Sequence, residues 1–338
     1  MLFRNVSIES VASVLPSEVV TSDQLEAGFS HTLRRLGLPP GQVEKLSGVK
    51  ERRWWDPGTQ PSVVAAMAGE KALASAGIRP TDVQALINTS VSRDYLEPST
   101  AAIAAGHLGV GHGCMSFDVT NACVGFLNGM LVGASMIELG QADHVLVTCA
   151  ETVRDGVEAT VRRLAAPDAD ITTFRDNFAS LTLGCGAVAM VLGRRDRSRS
   201  GHVLDGGVYR TASEHSGLCL GQHQEMRSDP HGLLVHGVGL GVETFPYAAR
   251  ELGWRADQID EFVCHQVSLA HFSHTFAQLG LPLERASLTF PFLGNCGPAS
   301  LPITLALGER QGRIKRGQSL CLFAVGSGLG CCILGVHW

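Results

Sequence analysis

Two stretches of this chain, 176 residues apart, carry the same pattern. Gly77-Ile78-Arg79-Pro80-Thr81-Asp82-Val83-Gln84-Ala85-Leu86-Ile87-Asn88 lies over Gly253-Trp254-Arg255-Ala256-Asp257-Gln258-Ile259-Asp260-Glu261-Phe262-Val263-Cys264, and the match continues from Val91-Ser92 to Val267-Ser268. The same offset sets the apolar run Val145–Thr148 on Cys321–Ala324, and with a two-residue slip Asn121 meets Asn295. A period this long is not that of a solenoid; it predicts two fused half-domains. The charged stretch 194–201 is the expected boundary, giving halves of 1–198 and 199–338.

Each half alternates helical patterns with short apolar strands. Helices are expected over Ser62–Ala76 and Ser99–Leu108, strands over Ala85–Asn88 and Ser116–Val119, an alternation that argues for parallel strands joined by crossover helices. The first half carries an extra polar segment, about 150–180, whose counterpart in the second half is only the turn Gly326-Ser327-Gly328. An insertion of this kind is expected to cover a site.

The apolar run Ala122–Leu139 has the length of a membrane span, but Asn128 interrupts it, Asp118 and Glu138 flank it, and strands lie on both sides. It reads instead as a helix buried all round. Gly125, Gly129 and Gly133 share one face, suited to close packing, with the small residues Ala299, Ser300 and Thr304 of the repeat partner as one candidate neighbour. Net charge is -5, and no basic stripe points to nucleic acid or a membrane surface. Ten cysteines without paired spacing, and no signal peptide at the start, argue for a reducing cytoplasm.

Chemistry concentrates where strands end. Cys123 follows the strand-like run Met115–Val119 and stands at the start of the buried helix, where the dipole and unpaired N–H groups favour a thiolate. His265 lies just past the apolar strand Phe262–Cys264, and Asn295 follows Phe292-Leu293-Gly294. Singly, each has a bland reading: a core thiol, a hydrogen-bonded imidazole, a helix cap. Together, a Cys, a His and an Asn at three strand ends make a candidate acyl-transfer site. No Cys-x-x-Cys or His-x-x-x-His pair offers a metal site, and the Gly-rich turns lack the lysine of a phosphate loop. Such a turn suits an oxyanion hole, shared with the N–H of Cys123.

These residues resemble those of thiolase-superfamily condensing enzymes of the ketoacyl-synthase III-like branch. The motifs are 87–101, Phe117-Asp118-Val119-Thr120-Asn121-Ala122-Cys123, Leu181–Ala187, His265-Gln266-Val267-Ser268 and Gly297-Pro298-Ala299-Ser300, and the resemblance covers essentially the whole chain. Within that branch the chain is most similar to the enzymes that condense two fatty acyl-CoAs head to head in bacterial long-chain olefin synthesis. The resemblance implies an α/β, five-layered αβαβα thiolase-like fold from two duplicated halves. It implies that Cys123 takes an acyl group as a thioester, and that His265 and Asn295 bind the second thioester's carbonyl oxygen and stabilise its enolate. The backbone of Cys123, Ser327 and Gly328 would form the oxyanion hole, and Glu97 would reach the neighbouring site of a homodimer as the base. The bland reading of Glu97 is a cap for the helix that follows.

The implied reaction joins two acyl-CoAs without decarboxylation, giving a 2-alkyl-3-keto acid and CoA, with CoA part of the substrate and no metal or redox cofactor. Downstream olefin-pathway enzymes are further expected partners. Three alternatives remain at this point: a decarboxylative ketoacyl-carrier-protein synthase III using a malonyl donor, a Cys-His-Asn thioester hydrolase, and a non-catalytic acyl-binding subunit. Against the first, Cys296-Gly297-Pro298 stands after Asn295 where those synthases usually carry Thr-Ser. Cys264 has no assigned role.

Overall fold

A computed structural model describes residues 1–338. Nine strands form one hydrogen-bonded sheet: β1 (Val6–Val14), β2 (Ala85–Asn88), β3 (Met115–Asp118), β4 (His144–Glu151), β5 (Gly186–Arg194), β6 (His202–Thr211), β7 (Glu261–Cys264), β8 (Ser319–Gly326) and β9 (Gly330–His337). Their spatial order is β7-β8-β9-β6-β1-β5-β4-β2-β3. The order is nearly palindromic about the β6–β1 junction, where Ser7 pairs with Val203 and Ile8 with His202. On each side two strands of equivalent position run parallel, β2 with β4 and β7 with β8, and the next two pairings inward are antiparallel. The sheet is therefore mixed, not the parallel one expected from strand–helix alternation, because β4 and β5, like β8 and β9, are neighbours with no crossover helix lying across the sheet between them.

The helices that matter here are α1 (Pro61–Ala76), α2 (Thr100–Leu108), α3 (Gly125–Glu138), α4 (Arg154–Leu164), α5 (Ile171–Asn177), α6 (Val238–Leu252), α7 (Leu269–Leu279) and α8 (Ser300–Arg310). Strand side chains alternate between two faces. Ile87, Val145 and Val147 face inward with Val263, Leu320 and Leu322, and α3 and α8 fill the space between with Phe126, Met130, Ile303 and Leu305. Leu86, Leu146 and Val191 face outward onto α1 and α2. Phe262, Phe323 and Ile333 do the same onto α6 and α7. Three helix layers separated by two half-sheets make the five-layered thiolase-like architecture. Each large inward side chain, such as fully buried Met130, contributes about 1.5–3 kcal/mol through removal from water.

The small-residue face of α3 does not meet α8, as one expectation had it. It lies on the sheet: a Cβ at Gly129 would stand 2.5 Å from Thr89 Cγ2, and one at Gly133 2.9 Å from Val145 Cγ1. Only Gly125 comes near Pro298, ahead of α8. The β-branched residues of β2 and β4 need that room. The second half also lacks a counterpart of β3; a single bridge, Phe262 with Ala286, stands there. The Gln266 side chain explains it by taking the local backbone groups instead, donating to Ser287 O and accepting from Thr289 N and Phe290 N. No helix is long and apolar enough to cross a membrane.

Candidate active site

Cys123 follows β3 through Val119-Thr120-Asn121-Ala122. Ala122 takes φ +42°, the only non-glycine residue in the left-handed region, at a cost of about 1–2 kcal/mol. That turn places Cys123 immediately ahead of α3. It is braced by Asn121 Nδ2, which donates to Asn128 Oδ1 at 2.8 Å and to Tyr209 Oη at 3.2 Å. The end of β8 presses on it from the other half: a Cβ at Gly326 would stand 3.1 Å from the nitrogens of Cys123 and Val124 and 3.3 Å from Cys123 Cβ.

His265 follows β7, its N–H donating to Phe323 O at 2.9 Å. Both ring nitrogens are shut off from solvent and have no partner. Asn295 N donates to Thr182 O at 2.8 Å, and its carbonyl accepts from Gly184 N at 3.0 Å. Its Oδ1 accepts from Gly297 N at 2.9 Å, which leaves the Nδ2 hydrogens as the free donors. The two loops meet without side chains in the way: a Cβ at Gly294 would lie 2.7 Å from Thr182 O. Beneath them is Arg52, fully buried with no carboxylate partner, donating to Leu181 O at 2.9 Å and Ser22 Oγ at 3.1 Å. Burial lowers its guanidinium to about 10.

Cys123, His265, Asn295, Gly326 and Ser327 line one cavity of about 190 Å³. Its walls are apolar, with Phe178, Leu233, Val238, Phe272, Phe276 and Phe323 among them. Phe178 belongs to the end of the inserted segment, so the insertion does form part of the cover. The other part, Cys219 to Val238, carried no sequence signal; it includes a one-turn π-helix, Leu233–Gly237, spliced onto α6. Cys264 lies in the outer core with Phe272 and Phe276 and also borders the cavity. Gly328, at φ +131°, turns the β8–β9 hairpin and is not among the lining residues.

Electrostatics at the site depart from the thiolate expectation. Burial, then Cys219 and Glu151, push the Cys123 thiol up to about 12, against its own backbone N–H. Desolvation outweighs the helix terminus, so the resting group is a thiol. Burial, then His271, pull His265 down to about 4, so the imidazole is neutral. Glu151 was not singled out from the sequence; it is fully buried at the end of β4, and burial raises it to about 7 against hydrogen bonds from Ser92 and Val91.

Glu97 is exposed, makes no hydrogen bond or ion pair within the chain, and stands outside the Cys123 cavity. It is not the cap of α2. Ser99 Oγ accepts from Ala102 N, and Asp118 accepts from Thr100 N and Ala101 N. No group of three or more His, Cys, Asp or Glu side chains is placed to hold a metal ion.

A two-fold-repeated five-layered sheet with Cys, His and Asn meeting in an apolar cavity defines a condensing enzyme of the thiolase superfamily. The sequence model of the 3-oxoacyl-[acyl-carrier-protein] synthase III family matches residues 117–206, and that of its C-terminal region residues 249–338. An acyl-CoA:acyl-CoA alkyltransferase of Xanthomonas campestris is 42% identical over 338 residues, all of both chains. One of Shewanella oneidensis is 36% identical over 350 residues, again all of both. The crystal structure of cerulenin-bound Xanthomonas OleA superposes with a TM-score of 0.98 at 42% identity, covering 100% of this chain and 98% of that one. That protein has also been crystallised with lauric acid and lauroyl-CoA, and with substitutions at a cysteine, a histidine and a glutamate. The chain belongs to the acyl-CoA:acyl-CoA alkyltransferase (OleA) family.

Proposed function

We propose that this protein joins two fatty acyl-CoAs by non-decarboxylative Claisen condensation. The observation that carries the reading is the apolar cavity with Cys123, His265 and Asn295 at one end, in a chain of this family. The substituted glutamate, cysteine and histidine of the Xanthomonas protein are spaced along its chain as Glu97, Cys123 and His265 are along this one, which supports assigning them as one set.

In the first half-reaction Cys123 Sγ attacks the thioester carbon of an acyl-CoA; the new C–S bond forms, the old one breaks, and CoA leaves as the thiol. Because Cys123 rests protonated, its proton must move during attack; neutral His265 has an unpartnered nitrogen to receive it and to pass it to the departing CoA sulfur. The N–H of Cys123, with the Gly326–Gly328 turn, holds the oxyanion. In the second, an acyl-CoA binds with its carbonyl oxygen at His265 and the Nδ2 of Asn295. Glu97 of the partner subunit removes an α-proton, the resulting enolate carbon attacks the acyl-Cys123 carbonyl, and the C–S bond to Cys123 breaks. Water then cleaves the remaining thioester, giving a 2-alkyl-3-keto acid and CoA. A homodimer is part of the reading: Glu97 sits on an exposed loop beside Tyr95 and Leu96, the latter 92% exposed, and does not line the cavity of its own chain. The two halves, 1–198 and 199–338, then supply the nucleophile and the carbonyl-binding pair respectively, in a cytoplasmic protein whose cysteines are free.

The test is mass spectrometry of the purified protein given one C10–C14 acyl-CoA alone. Acylated Cys123 and a β-keto acid or its decarboxylated ketone are expected. Acylation followed only by free fatty acid would overturn the reading in favour of a hydrolase or a malonyl-dependent synthase.

A further inference from the structure

The buried carboxylate of Glu151 ties three parts of the site together. Its Oε1 accepts from Val91 N at 2.7 Å, and its Oε2 accepts from Ser92 N at 3.1 Å and Ser92 Oγ at 2.7 Å. Ser92 Oγ in turn accepts from Thr152 N at 3.0 Å, the first residue after β4 and the root of the inserted segment. On another side is Gly297, whose N–H fixes the Asn295 side chain; a Cβ on Gly297 would lie 3.6 Å from Glu151 Cγ. The Val91–Ser92 pair opens the loop that carries Glu97. Beyond it the loop has its own anchors, Ser62 Oγ donating to Asp94 Oδ1 at 2.6 Å and the Ser99 cap.

We infer that Glu151 is a positioning residue for condensation, holding the root of the Glu97 loop and backing the turn that presents Asn295. The inference rests on the assignment of Glu97 as base. A carboxylate suits this place because three donors converge on two oxygens. An amide of the same size accepts at one oxygen only and turns its NH2 toward a backbone N–H. Charge-assisted hydrogen bonds to a buried acceptor are also the stronger kind. No cation faces Glu151. On its own strand is Cys149, with Sγ 3.8 Å from Oε1, and the thiols of Cys123, Cys185 and Cys296 feel it from neighbouring elements. Arg93 is turned away to Thr120 and Asp94 to Ser62. Protonating Glu151, which burial makes feasible near neutrality, therefore weakens the hold on Val91 and Ser92 with no ion pair to resist it.

A purely architectural role would lower every activity of the protein together; a positioning role separates the half-reactions. The full-length protein and its E151Q, S92A and E97A variants are given tetradecanoyl-CoA. Cys123 acylation is followed by mass, and β-keto acid formation by rate, from pH 6 to 8.5. Glu151→Gln should acylate Cys123 within about twofold of wild type and slow condensation by about tenfold or more, the worth of one charge-assisted bond. Ser92→Ala, which removes one donor and little volume, should shift the same ratio by a smaller factor. The acid-side fall in wild-type condensation should lose its component near pH 7 in E151Q. If E97A condenses at the wild-type rate, the base assignment falls and this inference with it. If E97A is inactive in condensation while E151Q and S92A condense normally, or lose acylation equally, this inference alone is overturned.

Discussion

Replacing Gly326 with alanine puts one methyl group against the turn that carries the nucleophile. Its backbone is not in the left-handed region, so alanine adds no backbone strain. The new Cβ would stand 3.1 Å from Cys123 N and Val124 N and 3.3 Å from Cys123 Cβ, where carbon–nitrogen and carbon–carbon contacts relax at about 3.5–4 Å. Something must yield by a few tenths of an ångström, and all three contacts belong to the turn that aims Cys123. If a misplacement of about 1 Å costs about 100-fold, a shift of roughly 0.5 Å slows acylation by about tenfold. Stability should change little, because overpacking of about 1–3 kcal/mol is offset by about 0.4–1 kcal/mol from a stiffer unfolded chain. For 338 residues at about 2.1 cal/mol/K each, that leaves a fall in Tm of no more than about 1–4 °C. Single-turnover acylation of Cys123 by dodecanoyl-CoA, followed by mass alongside a melting curve, measures both. A folded G326A protein that acylates at the wild-type rate would refute the argument that the β8 terminus positions the thiol.

Cys123→Ala should abolish both acylation and condensation while leaving the melting temperature within a few degrees, since the residue only borders the cavity; residual condensation would displace it as nucleophile. Gly237→Leu projects a side chain from the cavity wall at a site where a Cβ meets only Val325 Cγ1 at 3.7 Å, so it should move the preferred acyl-CoA to shorter chains without loss of stability. Folded His265 titrates at about 4 against 6.5 unfolded, so its contribution costs stability as pH falls from 6.5 toward 4; Glu151, at about 7 against 4.5, costs stability as pH rises from 4.5 to 7. Each is worth up to about 3 kcal/mol and they oppose each other, so urea titrations should show E151Q gaining and H265N losing stability across that window relative to wild type, and parallel curves would count against both shifts. Co-expressed C123A and E97A chains should recover about a quarter of wild-type condensation, since half the dimers are mixed and each mixed dimer has one complete site if Glu97 acts across the interface; no recovery would place Glu97 in its own chain's site.

Much of this site was legible because it lies at strand ends, where sequence pattern and chemistry coincide. Ala85–Asn88 and Glu261–Cys264, matched by offset alone, are both short strands with a parallel neighbour, β4 and β8. Cys123, His265 and Asn295 do line one cavity. What was not legible depends on contacts between distant segments. The pairing of β4 with β5 converts an expected parallel sheet into a mixed one, and no local period reports it. The cavity cover from Cys219 to Val238 has neither strong strand nor helix punctuation until Val238. Glu151 reads as the polar end of a strand; only the approach of Val91, Ser92 and Gly297 makes it a buried carboxylate. The thiolate expectation failed for a similar reason: a helix start is local, whereas desolvation by both halves of the molecule is not.

The same desolvation bears on where a base can be kept. A condensing enzyme that releases carbon dioxide needs no strong base, but one that uses two acyl-CoAs must remove an α-proton beside the acyl-thioester. A carboxylate resident in the apolar cavity would raise the thiol still further, as Glu151 already does from one layer behind it. It would also be raised itself, and both groups would then sit protonated in the resting protein. If Glu97 is the base, carrying the carboxylate on a solvent-facing loop, free of hydrogen bonds within its own chain, avoids that mutual suppression. On that reading its side chain stays solvated until a second subunit and a bound acyl chain enclose it. Such a division requires the loop root to be held firmly while its tip stays free, which is the arrangement of Val91 and Ser92 on Glu151 with Leu96 and Glu97 exposed beyond them.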